Sequence, residues 1–123
     1  MAEVIAKKIG VDVIEPSSAG VTPLGFVPPE TSDTLSQNGY LPQDLESKGL
    51  RPELCDSAEL IINMSGVSRE DAFANYDKVE DWAVEDPYHG DLAAYQRVFE
   101  EIETRVGELV GRLRNGLVNK EKN

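Results

Sequence analysis

Residues 84–91, Val-Glu-Asp-Pro-Tyr-His-Gly-Asp, gather two adjacent acids, an aromatic residue and the only histidine of the chain. A carboxylate followed by proline, at the end of a short apolar segment, is presented on backbone that the proline ring stiffens. An acid held that way is a candidate for chemistry at one fixed position. Asp86 is that acid, with Tyr88 and His89 beside it and Asp91 opening the helical pattern that follows. Cys55, the only cysteine, and the hydroxyls of Ser17 and Ser18 in the turn Pro-Ser-Ser-Ala-Gly complete the candidates. Each also has a plain structural reading. Asp86 and Pro87 serve equally as a turn into a helix, Tyr88 as packing, His89 as a solvated loop residue, and the serines as turn hydroxyls. Cys55, with apolar Leu54 and Ala58 nearby, reads as a buried structural thiol, and Trp82 as core.

The elements that must position these residues alternate along the chain. Ala2, Ile5, Ala6 and Ile9 recur at helical spacing and are closed by Gly10. Val11, Val13 and Ile14 predict a short strand, and Thr31 to Asn38 a short helix stopped by Gly39. The segment 45–58 reads as a turn plus one or two helical turns. Leu60 to Met64 is the clearest strand, its continuous apolar character suggesting burial on both faces. Ser65 or Ser68 is placed to cap a helix reaching about Tyr76, Ser68 and Asp71 standing in capping-box spacing. Val79, Trp82 and Val84 predict a third strand. Leu92, Tyr95, Phe99, Ile102, Val106, Leu109, Val110, Leu113 and Leu117 then mark a helix of about 24 residues with Asp91 as N-cap. Strands separated by helices mean an α/β fold with helices on both sides of a short, mainly parallel sheet. Its active crevice belongs at the carboxyl ends of the strands, where the SSAG, MSG and EDPYHG segments all fall.

Composition bounds the function. The chain of 123 residues is one domain over 1–118, followed by a polar tail at 119–123 that should fray. A net charge of −11 argues against nucleic acid or an anionic membrane surface as partner. No apolar run approaches the roughly 20 residues of a membrane span. A lone cysteine rules out an internal disulfide and fits the cytosol.

The order MAEVIAKKIG, SSAG, LESKGL, ELIINMSG and VEDPYHGD before a long final helix resembles the low-molecular-weight protein tyrosine phosphatases and the related thioredoxin-coupled arsenate reductases. The resemblance runs from Met1 to about Leu113, and it rests on order and spacing, each motif being short. It implies a phosphotyrosine phosphatase I-like, three-layer helix-sheet-helix fold with no cofactor and no metal. In that family a first strand enters a phosphate loop, a cysteine and an arginine separated by five residues, followed by a helix that starts much like MAE. This chain contains no Cys-x5-Arg, and residue 61, six after Cys55, is Ile.

The resemblance makes Asp86 the general acid that protonates the leaving phenolate and then the base toward water on a phosphocysteine. Tyr88 would wall the pocket for an aromatic leaving group, with His89 lining it, and Ser18 would support the phosphate loop. The substrate would be a phosphotyrosine protein or a small aryl phosphate. Coupled arsenate reduction needs further cysteines to pass a disulfide outward, so the single thiol favours the phosphatase branch. A first helix opening at Met1 without a cap, and a sheet of only three short strands, fit a strand-loop unit missing ahead of residue 1; a chain that simply starts with a helix fits equally. Three readings stay open: a phosphatase lacking its central first strand and loop, a non-catalytic relative binding a partner, and an arsenate reductase fragment. If the strand is missing, the flanking strands at 11–15 and 60–64 should either close directly on each other or leave exposed edges that favour a homodimer, and the chain alone should not hydrolyse aryl phosphates.

Overall fold

Tyr95, Val98, Phe99, Ile102, Val106, Leu109 and Val110 are all buried along one face of the final helix, as their spacings of three and four require. The computed structural model describes residues 1–20, 28–41, 49–88 and 90–122, with side chains described as far as residue 116. His89, the Leu117 side chain and the first residues, 45–48, of the expected turn at 45–58 therefore lie outside the described residues. The elements in chain order are α1 (Ala2–Ile9), α2 (Pro29–Gln37), α3 (Pro52–Ser57), β1 (Ile61–Asn63), α4 (Arg69–Ala72), β2 (Val79–Asp81) and α5 (Leu92–Lys122). The fold is α/β with a short parallel sheet. Contacts divide the chain into two compact units, one of Met1–Ser18, Val27–Leu45 and Asp86–Asn123, the other of Ala19–Phe26 and Glu46–Glu85.

In the first unit, α1 and α2 each pack on α5. α1 buries Ile5 and Ala6, and it carries Glu3 in its first turn and Lys7 and Lys8 in its last, the arrangement the helix dipole favours. α2 starts at Pro29, two residues before the expected Thr31, because proline at the first helical position has a preset φ and no N–H to satisfy. Asp91 caps α5, its Oδ1 accepting the Ala94 N–H at 2.9 Å. The helix runs for 31 residues, longer than the expected 24. Residues 119–122, expected to fray, continue it, since Lys and Glu are good helix formers and the end of a surface helix needs no burial.

The strand expected at residues 11–14 is a turn. The Gly10 carbonyl accepts both the Val13 N–H at 3.0 Å and the Ile14 N–H at 2.7 Å, so local bonds absorb the backbone groups that a ladder would have used. Val11 is left 77% exposed. Three apolar residues do not hold a chain extended against such a turn.

In the second unit, β1 and β2 pair in parallel with Ile61 opposite Val79, Ile62 opposite Glu80 and Asn63 opposite Asp81. Cys55, Phe73 and Val79 form its core, with Leu50, Ile61, Ala72 and Tyr76 packed against them. Burial of β1 on both faces holds only in part, because Ile61 and Ile62 are half-buried and Leu60 is exposed. β2 stops at Asp81, short of the expected Val84, where the Val84 N–H bonds back to the Trp82 carbonyl at 3.1 Å. That three-residue turn ends pairing. Ser68, not Ser65, caps α4, its Oγ accepting the Asp71 N–H at 3.3 Å, and α4 ends at Ala72 instead of about Tyr76. No helix among the described residues is long and apolar enough to cross a membrane.

Candidate active site

Asp86 opens the last segment of the first unit and is exposed. Its Oδ1 accepts the Tyr88 backbone N–H at 3.0 Å, an Asx turn with Pro87 at its centre. A second bond, from the Gly90 N–H to the Pro87 carbonyl at 2.7 Å, closes the turn. Gly90 is required here. A methyl group on it would lie 2.8 Å from the Pro87 carbonyl oxygen and 2.9 Å from Ala94 Cβ, so its bare backbone seats the acid-bearing loop on the first turn of α5.

Tyr95, one turn further on, is 97% buried as judged from its 3% exposure. Burial pushes its phenol above the ordinary tyrosine value, and the charges of Glu30, Asp86 and Tyr88 act in the same direction. The Asp86–Tyr88 loop, the first turns of α5 and Glu30 at the start of α2 thus share one electrostatic neighbourhood. The sequence reading missed both Tyr95 and Glu30 as members of it. Tyr95 was absorbed into the apolar stripe of the helix, although a tyrosine in such a stripe carries a polar tip that needs a destination.

Ser18 stands apart in its bonding. Its hydroxyl donates to Glu3 Oε1 at 3.0 Å, tying the turn that follows residue 14 to the first turn of α1. The structure thus brings Asp86 and Tyr88 together, gives Ser18 a partner on α1, and leaves His89 outside the described residues.

At the end of β1 in the second unit, Asn63 is buried and organises the MSG turn. Its Oδ1 accepts the Ser65 N–H at 3.1 Å and the Ser65 hydroxyl at 2.6 Å. Its Nδ2 donates to the Val67 carbonyl at 2.8 Å and to Asp81 Oδ1 at 3.0 Å. Cys55 is buried in the core of this unit, where no substrate has access to a thiol.

An α/β fold with a short parallel sheet and a long final helix is the fold of a phosphatase-like class of protein. Residues 1–121 match the low molecular weight phosphotyrosine protein phosphatase family, and the chain belongs to it. Among solved structures it is similar to the low molecular weight protein tyrosine phosphatase from T. tengcongensis, at 27% identity over 91% of this chain and 88% of that one, with a TM-score of 0.79. The YwlE arginine phosphatase from Geobacillus stearothermophilus shares the fold at 20% identity, 96% and 86% coverage and a TM-score of 0.83. An arsenate reductase in the phosphate binding state shares it at 23% identity, 91% and 86% coverage and a TM-score of 0.77. No curated protein matches the chain.

Proposed function

We propose that this chain carries the acid-base half of a phosphotyrosine or aryl phosphate hydrolase and, in its 123 residues, no nucleophilic half. The observation that carries this reading is the Asp86 turn, where the exposed carboxylate is fixed at one oxygen by the Tyr88 N–H. A carboxyl group there protonates the departing phenolate oxygen as a cysteine thiolate takes the phosphoryl group. The resulting carboxylate accepts a proton from the water that then attacks the phosphocysteine. Tyr88 offers an aromatic wall to an aryl leaving group, His89 is the next residue in sequence, and Ser18 supports the phosphate loop.

The nucleophile must come from a Cys-x5-Arg loop, which supplies a thiolate of depressed pKa and donors for the phosphoryl oxygens. The 123 residues contain none, and Cys55 is buried with Ile61 where the arginine would stand. The reading therefore requires such a loop, with the central strand that leads into it, from outside these 123 residues. The lone buried thiol suits a reducing cytosol, and it argues against arsenate reduction, which passes electrons through further cysteines. Among the described residues β1 pairs only with β2, which leaves a strand edge open to a second copy, and the chain forms a homodimer.

An assay of the 123-residue protein with p-nitrophenyl phosphate and a phosphotyrosine peptide tests the reading, together with an intact mass from the native source. The expected results are no turnover above buffer and a native protein heavier by a Cys-x5-Arg segment. Turnover by the 123-residue chain that disappears in Asp86→Asn would overturn the account of the nucleophile. A native mass equal to that of Met1 to Asn123 would turn the reading toward a non-catalytic binding module.

A further inference from the structure

Asn38 and Gly39, at the C-terminus of α2, form an Asn-Gly pair held from several sides. Asn38 Nδ2 donates to the Thr34 carbonyl at 2.7 Å and to Gln96 Oε1 on α5 at 2.8 Å. Gln96 Nε2 returns a bond to Asn38 Oδ1 at 3.2 Å. Gly39 has φ +84°, a left-handed conformation that glycine adopts without strain. Its N–H donates to the Ser36 carbonyl at 3.2 Å, while the Tyr40 N–H donates to the Leu35 carbonyl at 2.9 Å. Those two bonds make a Schellman cap. Lys8 of α1 closes the arrangement by donating to the Gly39 carbonyl at 2.8 Å.

We propose that Asn38–Gly39 is a site of spontaneous modification, at which asparagine converts to aspartate and isoaspartate through a succinimide, and that Gln96 is the brake on it. In this reaction the Gly39 amide nitrogen, having lost its proton, attacks Asn38 Cγ. The new N–Cγ bond forms, the Cγ–Nδ2 bond breaks, and the amide group leaves as ammonia with a proton from solvent, which balances the one the Gly39 nitrogen gave up. Water then opens the ring at either carbonyl, with no oxidant or reductant. A following glycine favours ring closure because no side chain obstructs it.

Both reactants are restrained here. The nucleophilic nitrogen is committed to Ser36, and the electrophilic amide is held by Thr34 and Gln96. Gln96 is the part of the restraint that lies outside the reacting segment. The product has a structural consequence. A carboxylate at position 38 would face the Thr34 carbonyl and Gln96 Oε1 with acceptors opposed to acceptors, which loosens the C-terminus of α2 from α5. α2 also carries Glu30 in its first turn, whose charge acts on the buried Tyr95 of α5 as that of Asp86 does.

The chain carries its own reference. Asn115–Gly116 is the same dipeptide, exposed and inside α5, and it makes no part of the Gln96 pairing. Wild type, Gln96→Ala and Gln96→Glu proteins are incubated under native conditions, and peptide mapping resolves aspartate and isoaspartate at both positions. Gln96→Ala is expected to raise the rate at Asn38 on the order of tenfold, the factor that loss of one to two hydrogen bonds accounts for, with the rate at Asn115 unchanged. Gln96→Glu, which keeps an acceptor for Asn38 Nδ2 and loses the donor, is expected to give an intermediate rate and carries the test should Gln96→Ala not fold. An unchanged rate at Asn38, or a parallel rise at Asn115 in the variants that fold, overturns the proposal.

Discussion

Asp86 Oδ1 and the Tyr88 backbone N–H lie 3.0 Å apart across Pro87, so the same carboxylate that would move a proton also folds the turn that presents it. One oxygen serves the turn and the group as a whole stays exposed. Asp86→Asn keeps an oxygen acceptor for the Tyr88 N–H and so should leave the thermal melt of the chain close to wild type. In a protein with the Cys-x5-Arg loop supplied, the same substitution should slow hydrolysis by roughly 10²–10⁴-fold, the usual range for losing a general acid. The loss should be largest for poor leaving groups, and a rate series over substituted phenyl phosphates checks it.

Arg114 grips the turn after α1 with three bonds, to Asp12 Oδ2 at 2.9 Å, Asp12 Oδ1 at 2.7 Å and the Ile9 carbonyl at 3.0 Å. The bond from Arg114 holds the Asp12 carboxyl below its ordinary value. A carboxyl lowered in the folded state contributes stability above its unfolded pKa, near ~4, and loses it as pH falls through the lower folded value. The pair is exposed, so the effect is small and screened by salt. Arg114→Ala should therefore remove part of the acid limb of stability below about pH 4 at low ionic strength, read from melting curves as a function of pH.

Tyr40 is raised to about 12, by burial first and then by its bond to Glu103, which accepts the Tyr40 hydroxyl at 2.6 Å. The ring meets Phe99 edge-on at 5.5 Å and carries Lys8 Nζ 4.7 Å from its centroid. A group raised on folding contributes stability that is complete below its unfolded pKa and is lost as pH climbs through the folded one. The window here runs from an unfolded value near ~10 up to about 12. Tyr76, bonded to Asp56 at 2.6 Å, is also raised to about 12, so it adds to the same limb. Tyr40→Phe should cost about 1 kcal/mol at neutral pH and flatten the alkaline limb in part, and adding Tyr76→Phe should flatten it further. Stability curves from pH 8 to 12 decide the matter.

Cys55 sits among Phe73 and Val79 at 5% exposure. It should react with a thiol reagent only as fast as the second unit opens, and fully once the chain is denatured. Cys55→Ser places a hydroxyl in that core and should cost about 1–3 kcal/mol. Prompt reaction in the native protein would contradict the packing.

The sequence made the long helix legible because nine apolar positions repeat at helical spacing over many turns and Asp91 is a strong cap. The Asp86–Pro87 turn was legible for a similar local reason, since proline and an Asx acceptor act within three residues. What failed was set at longer range. Val11, Val13 and Ile14 have strand composition, yet the Gly10 carbonyl captured two of their N–H groups. Val84 has strand composition as well, yet its N–H turned back to Trp82. Neither capture leaves a trace in residue type. Glu30 comes to act on Tyr95 only through the seating of α2 on α5, which no short window of sequence contains.

The length of α5 has a mechanical consequence. The helix holds α2 near its beginning, through Gln96 and Glu103, and the turn after α1 near residue 114. At about 1.5 Å per residue the two grips are separated by roughly 20 Å of rigid rod. A load applied at the C-terminus would meet them in series, peeling the Arg114 clasp first, the Tyr40 and Asn38 attachments next, and the Gly90 seat of the acid loop last.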